Sequence, residues 1–396
     1  MKSQFRGFLF EAKHLTGLLV AAATVAVLLY MEVGAVAQSK STLSALPSTP
    51  QAPGDNPTTP AKVALGRLLF WDPLLSGPQD VACASCHHPQ NGYAEDRDLS
   101  LGVTAIGLGS KRRQAPGSSI PIVKRNSPTV VNIAFSGSDE SGRYDPATAP
   151  MFWDLRVKSL EKQALEPLKA HEEMRGDTYK EDEALASVVA KLQANAEYRS
   201  LFAGAFGGAQ PVNAENLGRA IAAFERTLLA NNSPFDRYMR GDRSAMTEEQ
   251  VSGMQRFERV GCTKCHNGPM FSDYKLHVMG VPDNPALPAS DDGAEKTYAF
   301  RTASLRNLAF TAPYEHNGMF RTLSDVVGFY EDARGGRSRN PNVSSEKLDP
   351  LIRELGDFDE EDVDLIEFLR ALSDDSFDRT IPERVPSGLP VGGRIQ

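Results

Sequence analysis

Apolar residues recur at intervals of three and four along several stretches of the chain, whereas strand-like alternation is never sustained over a useful length. The first spacing places apolar side chains on one face of a helix. We therefore predict a mostly α fold with long connecting loops. The predicted helices lie at about 61–70, 159–168, 183–192, 213–228, 247–257 and 359–372.

Capping residues and helix breakers set the ends of these elements. Asn213 and the capping box at 247–250 are typical helix starts, because their side chains accept hydrogen bonds from free backbone amides. Pro167 should bend or end its helix. Gly, Ser and basic residues fill 92–127, which predicts a long loop, and the Gly-rich stretch 203–211 is the best candidate for a domain boundary.

The first residues have the pattern of a targeting segment. A positively charged start precedes an apolar run at 15–30, and Ala35-Val36-Ala37 offers a small-residue cleavage site. We expect a signal peptide at 1–37, or else an uncleaved N-terminal anchor. The Ser- and Pro-rich stretch 38–60 should be a flexible tether, and 381–396 a flexible tail.

All four cysteines belong to two copies of the pattern C-x-x-C-H. Each copy can bond the two vinyl groups of one porphyrin and place a histidine under the iron as its proximal ligand, as in c-type haem attachment. One copy alone is compatible with chance, a zinc half-site or a redox dithiol. Two complete copies with no cysteine left over favour two covalent haems. The residues are Cys83, Cys86 and His87 in the first motif, and Cys262, Cys265 and His266 in the second.

Composition limits the remaining choices. The 396 residues, 41% of them hydrophobic, can bury one large core or two ordinary ones, and two distant haem motifs favour two. We expect an N-terminal haem domain at 61–210 and a C-terminal haem domain at 211–380. A net charge of −8 without a basic run gives no reason to propose nucleic acid as a partner.

Several further stretches agree with one known family. The chain resembles the bacterial di-haem cytochrome c peroxidases, including their MauG branch, over roughly 61–379. The resemblance implies two cytochrome c-like domains, each with one covalently bound c-type haem. It rests on LGRLLF at 65–70, RNSPT at 125–129, FWD at 152–154, AFERTL at 223–228, LRN at 305–307 and TAPY at 311–314.

The resemblance implies that the N-terminal haem reacts with peroxide on an open face. Trp153 is followed at ten, fourteen and twenty residues by Gln163, Pro167 and Glu173, which looks like the family's distal pocket. We expect Glu173 to be the acid/base, since peroxide cleavage needs a proton moved between its oxygens. Gln163 would donate hydrogen bonds and Pro167 would limit access. Alternatively, Glu173 is one solvated charge among several.

Trp153 also has a second implied role, as an oxidisable link between the two haems, although it can equally be a core residue. One departure from the family concerns histidine. Conventional members have a His before this region that caps the first iron, whereas here only His88 is present, directly beside His87. We therefore expect a five-coordinate first haem that needs no reductive activation.

The second haem should be closed by a protein ligand. The resemblance places it nineteen residues after Thr311, at Tyr330, where peroxidases of the family have Met and the MauG branch has Tyr. A hard phenolic oxygen favours ferric and higher states, unlike a thioether. Alternatively, Tyr330 is a core residue and a methionine binds the iron. The methionines after His266 are Met270, Met279 and Met319, of which Met319 is the named rival.

A calcium site between the haems depends wholly on the resemblance, which implies Asn126, Thr311 and Pro313 as oxygen ligands. His277 and His171 have no partner at metal-ligand spacing, so we expect each to be a surface histidine or a hydrogen-bonded one.

These expectations describe an exported, periplasmic peroxidase. It would reduce hydrogen peroxide with electrons from a small cytochrome c or a cupredoxin. The close alternative is a MauG-like oxidase of a protein or small molecule that uses a high-valent di-haem state; a plain di-haem electron carrier or a peroxide sensor is a further alternative. The sequence leaves open a homodimer and a tether to the inner membrane.

Overall fold

The computed structural model describes residues 42–396, so the expected signal peptide or anchor and the first residues of the expected tether lie outside the described residues. The described chain is helix-rich, and none of its helices is long and apolar enough to span a membrane. The α-helices are α1 (Pro60–Trp71), α2 (Cys83–Cys86), α3 (Leu160–Gln163), α4 (Glu166–Lys169), α5 (Ala184–Ala194), α6 (Ala196–Phe206), α7 (Ala214–Glu225), α8 (Pro234–Met239), α9 (Glu248–Val260), α10 (Leu323–Arg334) and α11 (Val363–Ala371).

Strands are short, as the lack of alternation predicts. Three antiparallel pairs join the strands, and each strand has two residues. The strands are β1 (Ala105–Ile106), β2 (Arg113–Gln114), β3 (Pro150–Met151), β4 (Val157–Lys158), β5 (Leu276–His277) and β6 (Phe300–Arg301).

Most predicted helices are confirmed, with two differences. The helix expected at 159–168 is divided into α3 and α4, and Pro167 lies in the first turn of α4, where its missing amide costs no hydrogen bond. The first residues of the stretch 203–211 are helical and do not form a linker. Helix α6 continues to Phe206, and its Phe202 side chain is completely buried. The Asn195 side chain accepts from the amide of Tyr198 and starts this helix.

Two helix pairs organise the two main apolar clusters. Helix α1 packs on α7, and α9 packs on α11. In each pair, one helix precedes a Cys-x-x-Cys-His segment in the sequence and the other follows it. Both crossings need glycine. A Cβ atom at Gly66 would lie 2.0 Å from the Ala220 carbonyl oxygen, and one at Gly253 would lie 1.9 Å from the Asp364 carbonyl oxygen. A glycine at the crossing point therefore allows backbone contact in both helix pairs.

A second local arrangement also occurs twice. Asn132 and Asn307 both have left-handed backbone angles, with φ of 63° and 64°, and each begins a 3₁₀ turn with the sequence Leu or Ile, Ala, Phe. The Asn132 amide group pairs with the backbone of Ala230, and the Asn307 side-chain oxygen accepts from the amide of Asp374. Asparagine tolerates this conformation better than other non-glycine residues.

The N-terminal segment 42–59 differs from the expected flexible tether. Leu43 and Leu46 are both buried, and they pack with the later part of the chain. The amide of Gly268, just after the second motif, donates to the Thr42 carbonyl oxygen, and the amide of Leu46 donates to Asp236 Oδ1 at 2.9 Å. Two leucines thus anchor a stretch that is otherwise typical of a tether.

The C-terminal segment 381–396 is also fixed, contrary to the expected flexible tail. The Ser85 hydroxyl, inside the first motif, donates to the Gly392 carbonyl oxygen at 2.7 Å. The amide of Arg394 donates to the Asp80 carbonyl oxygen, and the Ser387 hydroxyl donates to Asp72. Each end of the described chain therefore packs beside the haem motif that is farther from it in sequence.

The glycine at the α9–α11 crossing provides a direct test of this packing. Gly253→Ala should lower the free energy of unfolding by about 3 kcal/mol, because the new methyl group overlaps a backbone oxygen that cannot move freely. Gly204→Ala in α6 is the matched control, since no atom lies within 4 Å of the added Cβ. That control should stabilise the protein by about 0.5–1 kcal/mol. Urea unfolding measures both, and equal effects would contradict the close crossing.

Candidate functional site

The first Cys-x-x-Cys-His motif is placed by helix α2, which presents both thiols one turn apart. His87 follows, and its Nδ1 lies 3.0 Å from the Tyr93 carbonyl oxygen. Because a carbonyl only accepts, Nδ1 carries the proton in this bond and Nε2 is left as the atom for a metal. The Ser127 hydroxyl lies 3.2 Å from that Nε2. Burial lowers the pKa of His87, which favours the neutral imidazole that binds iron.

The second motif repeats this geometry. His266 Nδ1 lies 2.9 Å from the Phe271 carbonyl oxygen, so its Nε2 is likewise available to a metal. Burial also lowers the pKa of His266. None of the four cysteines forms a disulfide in the described structure. Both motifs thus have free thiols and a correctly protonated histidine, as covalent haem attachment requires.

A large, mainly apolar cavity lies against the second motif. His266, Cys262 and Cys265 line it together with Tyr330, and it extends to Trp153. Three buried donors in its wall have no hydrogen-bond partner among the described residues: Arg301 Nε, the Tyr274 hydroxyl and the Ser136 hydroxyl. A buried guanidinium without a carboxylate is costly, and the propionates of a porphyrin would supply one. The residues present therefore fit a haem.

Tyr330 comes from the middle of α10. Burial, followed by the charge of Glu315, raises the pKa of its phenol well above the usual value. Met270 and Met279 line the same cavity, but Met319 is not among the described residues that line it. The structure thus brings Tyr330 and His266 to one cavity, whose described wall does not include the named rival, Met319.

Trp153 is held firmly between the two halves of the chain. Its indole Nε1 donates to the Asn126 carbonyl oxygen at 3.1 Å, and its own carbonyl oxygen accepts from the amide of Arg301 at 2.7 Å. The Arg301 guanidinium lies 5.8 Å from the indole ring, and the His316 ring meets it edge-on. Only 7% of Trp153 is exposed.

Glu173 lies in a π-helical turn, His171–Arg175. Burial, helped by the charge of Glu172, raises the pKa of its carboxyl to about 7. The charge of the same carboxyl helps to raise the pKa values of the Cys83 and Cys86 thiols, after burial and the charges of Glu225 and Glu95, so Glu173 lies near the first motif. At neutral pH such a group can both donate and accept a proton.

The other expected distal residues lie just before this turn in the chain. Gln163 ends α3 and Pro167 lies in the first turn of α4, and both are half-buried. Arg156 lies 3.8 Å above the Phe152 ring, and it is the one cation whose charge favours ionisation of Glu173.

The three residues expected to bind calcium line one cavity. Asn126, Thr311 and Pro313 all belong to the wall that also contains Trp153. The Asn126 side-chain nitrogen donates to the Arg97 carbonyl oxygen at 2.9 Å, so its amide oxygen is the atom left to bind a cation.

His277 is buried between two carboxylates rather than exposed. Its Nδ1 lies 2.7 Å from Asp349 and its Nε2 lies 3.2 Å from Asp273. Ligand atoms of Cys265, Asp273 and His277 lie within 4.8 Å of one another, but the Cys265 thiol is the one that haem attachment would consume. His171 pairs with Asp177 at 2.8 Å. Both histidines therefore have hydrogen-bond partners, as expected.

Sequence reasoning missed two buried carboxyls near the first motif. Glu95 and Glu225 are 1% and 4% exposed, and burial raises their pKa values to about 7 and about 8. Glu225 belongs to the AFERTL stretch, which was a signal without an assigned role. Glu95 stands in an acidic run that reads as a solvated loop.

Glu225 should make stability depend on pH. Its folded pKa is raised from 4.5 to about 8, so the folded protein keeps a proton that the unfolded chain releases. This contribution is complete below pH 4.5 and is lost as the pH rises through 8. Between pH 5 and pH 8 the free energy of unfolding should therefore fall by about 1–3 kcal/mol less in Glu225→Gln than in the wild type, as measured by urea unfolding. The exposed Glu183→Gln is the control and should follow the wild type.

Comparison with known proteins agrees with these two motifs. Residues 60–244 match the model of a family described as di-haem cytochrome c peroxidase. The chain is 33% identical over 343 residues to the methylamine utilization protein MauG of Methylorubrum extorquens, and the match covers 85% of each chain. It is 34% identical over 289 residues to cytochrome c551 peroxidase of Pseudomonas aeruginosa, covering 70% of this chain and 74% of that one.

Solved structures show the same likeness. A MauG-like protein associated with microbial copper homeostasis superposes with a TM-score of 0.66 at 29% identity, covering 84% of this chain and 95% of that chain. The diheme peroxidase BthA from Burkholderia thailandensis gives 0.63 at 25% identity, covering 90% and 97%. Fold, motifs and sequence agree, and the chain belongs to the di-haem cytochrome c peroxidase family, as an oxidoreductase that acts on peroxide.

Proposed function

We propose that this protein reduces hydrogen peroxide at a haem held by Cys83, Cys86 and His87. The observation that carries the proposal is the half-buried Glu173 near this motif, since desolvation raises the pKa of its carboxyl to about 7. A plain electron carrier has no use for a proton-exchanging acid there. The activity in the names of the relatives, cytochrome c peroxidase, is the same one.

Two haems and two cytochrome c-like domains, at 61–210 and 211–380, complete the proposal. The repeated glycine crossings at Gly66 and Gly253 and the repeated turns at Asn132 and Asn307 support the two domains. Cys262, Cys265, His266 and Tyr330 would hold the second haem. When bound, the haems supply the iron at which peroxide is reduced and the store for the electrons it requires.

The residues around the first motif perform the proton chemistry. Glu173 accepts the proton from the near peroxide oxygen and returns it to the far one, which makes water the leaving group. Gln163 donates hydrogen bonds that orient the peroxide, and Pro167 narrows the approach. Arg156 and Glu172 act on Glu173 in opposite directions, because the first favours its carboxylate and the second opposes it.

An open first haem is supported by the position of His88. This side chain is buried against the Trp71 ring, with centroids 5.5 Å apart, and its Nδ1 accepts from the amide of Gln90. It therefore packs in the core beside Trp71. With His88 engaged in this way, the oxidised protein keeps one face of the first haem free.

A MauG-like oxidase is the second candidate function, and Tyr330 is the observation that favours it. A phenolic ligand stabilises higher oxidation states, which suits the oxidation of a protein or small molecule better than rapid uptake of electrons. Trp153 is held by hydrogen bonds in the wall of the cavity beside the second motif, and it suits either function as the link between the two haems. Asn126, Thr311 and Pro313 would hold one calcium ion beside it.

The proposed electron donor depends on the compartment to which the protein is exported. The targeting pattern at 1–37 and covalent haem attachment suit the periplasm, with or without a tether to the inner membrane. A small cytochrome c or a cupredoxin there is the proposed electron donor, and a homodimer is compatible with the described chain.

Removing the acid function of Glu173 tests the proposed activity. Glu173→Gln should lower the rate of peroxide consumption by about 10²–10⁴-fold, because the amide cannot exchange the proton. The assay follows oxidation of a reduced small cytochrome c by the haem-loaded protein. Glu172→Gln, one residue away, should remain within a few-fold of the wild type. Equal activity of Glu173→Gln and the wild type would exclude Glu173 as the acid, and no consumption by any of them would exclude a peroxidase.

Spectroscopy of the oxidised protein tests the ligands of both irons. We expect one high-spin and one low-spin ferric signal in low-temperature electron paramagnetic resonance. Tyr330→Phe should abolish the low-spin signal, because a phenyl ring cannot bind iron. Met279→Leu, which changes another residue of the same cavity, should leave the signal unaltered. Loss of the low-spin signal in Met279→Leu instead would assign the methionine.

A further inference from the structure

Glu95 is a buried acid that makes no hydrogen bond of normal geometry within the described residues. It lies eight residues after His87, only 1% of it is exposed, and neither carboxyl oxygen has a hydrogen-bond partner in the part of the chain that the structure describes. An ionised carboxylate in such a place would be very costly, whereas the neutral acid is tolerated. Buried polar groups without partners are rare enough in folded proteins to require an explanation.

The groups around Glu95 do not neutralise it by contact. The Arg112 guanidinium is buried nearby, but it donates to the backbone carbonyl oxygens of Leu101, Gly107 and Gly102 at 2.7, 3.0 and 3.1 Å. Arg97 also donates to backbone carbonyl oxygens. Both cations act on Glu95 only through their charges. They lower the energy of its ionised form, but burial outweighs them and the pKa of Glu95 stays raised.

Two further groups face Glu95. The buried Ser100 hydroxyl and the Cys86 thiol are donors close to Glu95. Both lower its pKa, although neither reaches a carboxyl oxygen with normal hydrogen-bond geometry. The charges of Glu95 and Glu173 both raise the pKa of the Cys86 thiol, so both acids lie near this cysteine.

One loop joins the surroundings of the two acids. Arg112 fixes Leu101 and Gly102, and the next residue, Val103, donates its amide to the Glu173 carbonyl oxygen at 2.9 Å. Gly102 lies so close to Glu173 that a Cβ atom would be 2.1 Å from that oxygen. The segment 100–103 thus has Ser100, which lies near Glu95, at one end and contacts the backbone of Glu173 at the other.

Reduction of hydrogen peroxide to two waters consumes two electrons and two protons. Electrons come from the donor, and both protons must reach the reacting oxygens, but Glu173 can release only one proton at a time. We propose that Glu95 stores the second proton as a neutral acid and passes it to Glu173 along the segment 100–103, past the Ser100 hydroxyl. This inference rests on the proposed peroxidase function.

The transfer is balanced. The O–H bond of Glu95 breaks as an O–H bond forms on the ionised Glu173, and the charges of Arg112 and Arg97 stabilise the Glu95 anion that remains. A proton from solvent then restores the neutral acid. Glu95 does not touch the peroxide in this scheme, so its role is to resupply the acid that does.

Infrared difference spectroscopy of the haem-loaded protein tests the stored proton. The resting protein should show the carbonyl stretch of a protonated Glu95, shifted in heavy water and absent from Glu95→Gln. When reduced protein meets one equivalent of peroxide, this band should disappear and return. Glu225→Gln is the matched control, since it removes another buried acid beside the first motif and should retain the band. A spectrum of Glu95→Gln identical to that of the wild type would overturn the proposal.

Proton uptake in a single turnover provides the second measurement. A pH indicator dye in weakly buffered solution should show uptake that lags behind haem oxidation in the wild type, because stored protons are used first. In Glu95→Gln the lag should vanish, and peroxide consumption should fall about tenfold, most steeply at high pH. Ser100→Ala keeps the carboxyl and should shorten the lag less. Unchanged lag and pH profile in Glu95→Gln would mean a structural role only.

Failure of the two proposals can be told apart. If neither the wild type nor any variant consumes peroxide, the peroxidase function fails and the proton store fails with it. If the wild type consumes peroxide and Glu95→Gln matches it in rate, lag and infrared band, only the inference about Glu95 is overturned.

Discussion

The buried ion pair between Arg306 and Asp236 holds the second half of the structure together. The two side chains are 2% and 0% exposed and lie 2.8 Å apart. Arg306 also donates to the carbonyl oxygens of Pro269, in the loop after the second motif, and of Ser44, while Asp236 accepts from the amide of Leu46. Loss of either partner would leave a buried charge, which typically costs about 3–5 kcal/mol. The N-terminal segment and the proximal loop thus depend on one pair.

The sequence predicts those parts of the fold that local chemistry determines. Helices with a clear apolar face and a capping residue, such as those begun by Asn213 and Thr247, lie where the pattern places them. The N-terminal and C-terminal segments were missed, because Leu43 and Gly392 are fixed by residues more than two hundred positions away. Helix α6 was missed because its glycine suggested a linker.

The candidate site divides in the same way. The two Cys-x-x-Cys-His motifs are complete in the sequence. Spacing to Trp153 and Thr311 singled out Glu173 and Tyr330, which are half-buried in the structure and whose pKa values are raised; their roles stay predictions. Glu95 carries no such signal, since burial of an acid in a polar loop results from tertiary packing. Unpartnered buried acids and cations become visible only when every neighbour is in place.

The contact between Ser85 and Gly392 spans 307 positions of the chain. It therefore forms only after the second Cys-x-x-Cys-His segment and helix α11, which lie between the two residues, have been synthesised. Until then the buried Ser85 side chain lacks this hydrogen bond, and the first Cys-x-x-Cys-His segment lacks part of its cover. Closure of the first motif is thus a late step in folding, because it depends on a residue that follows the second motif in the chain.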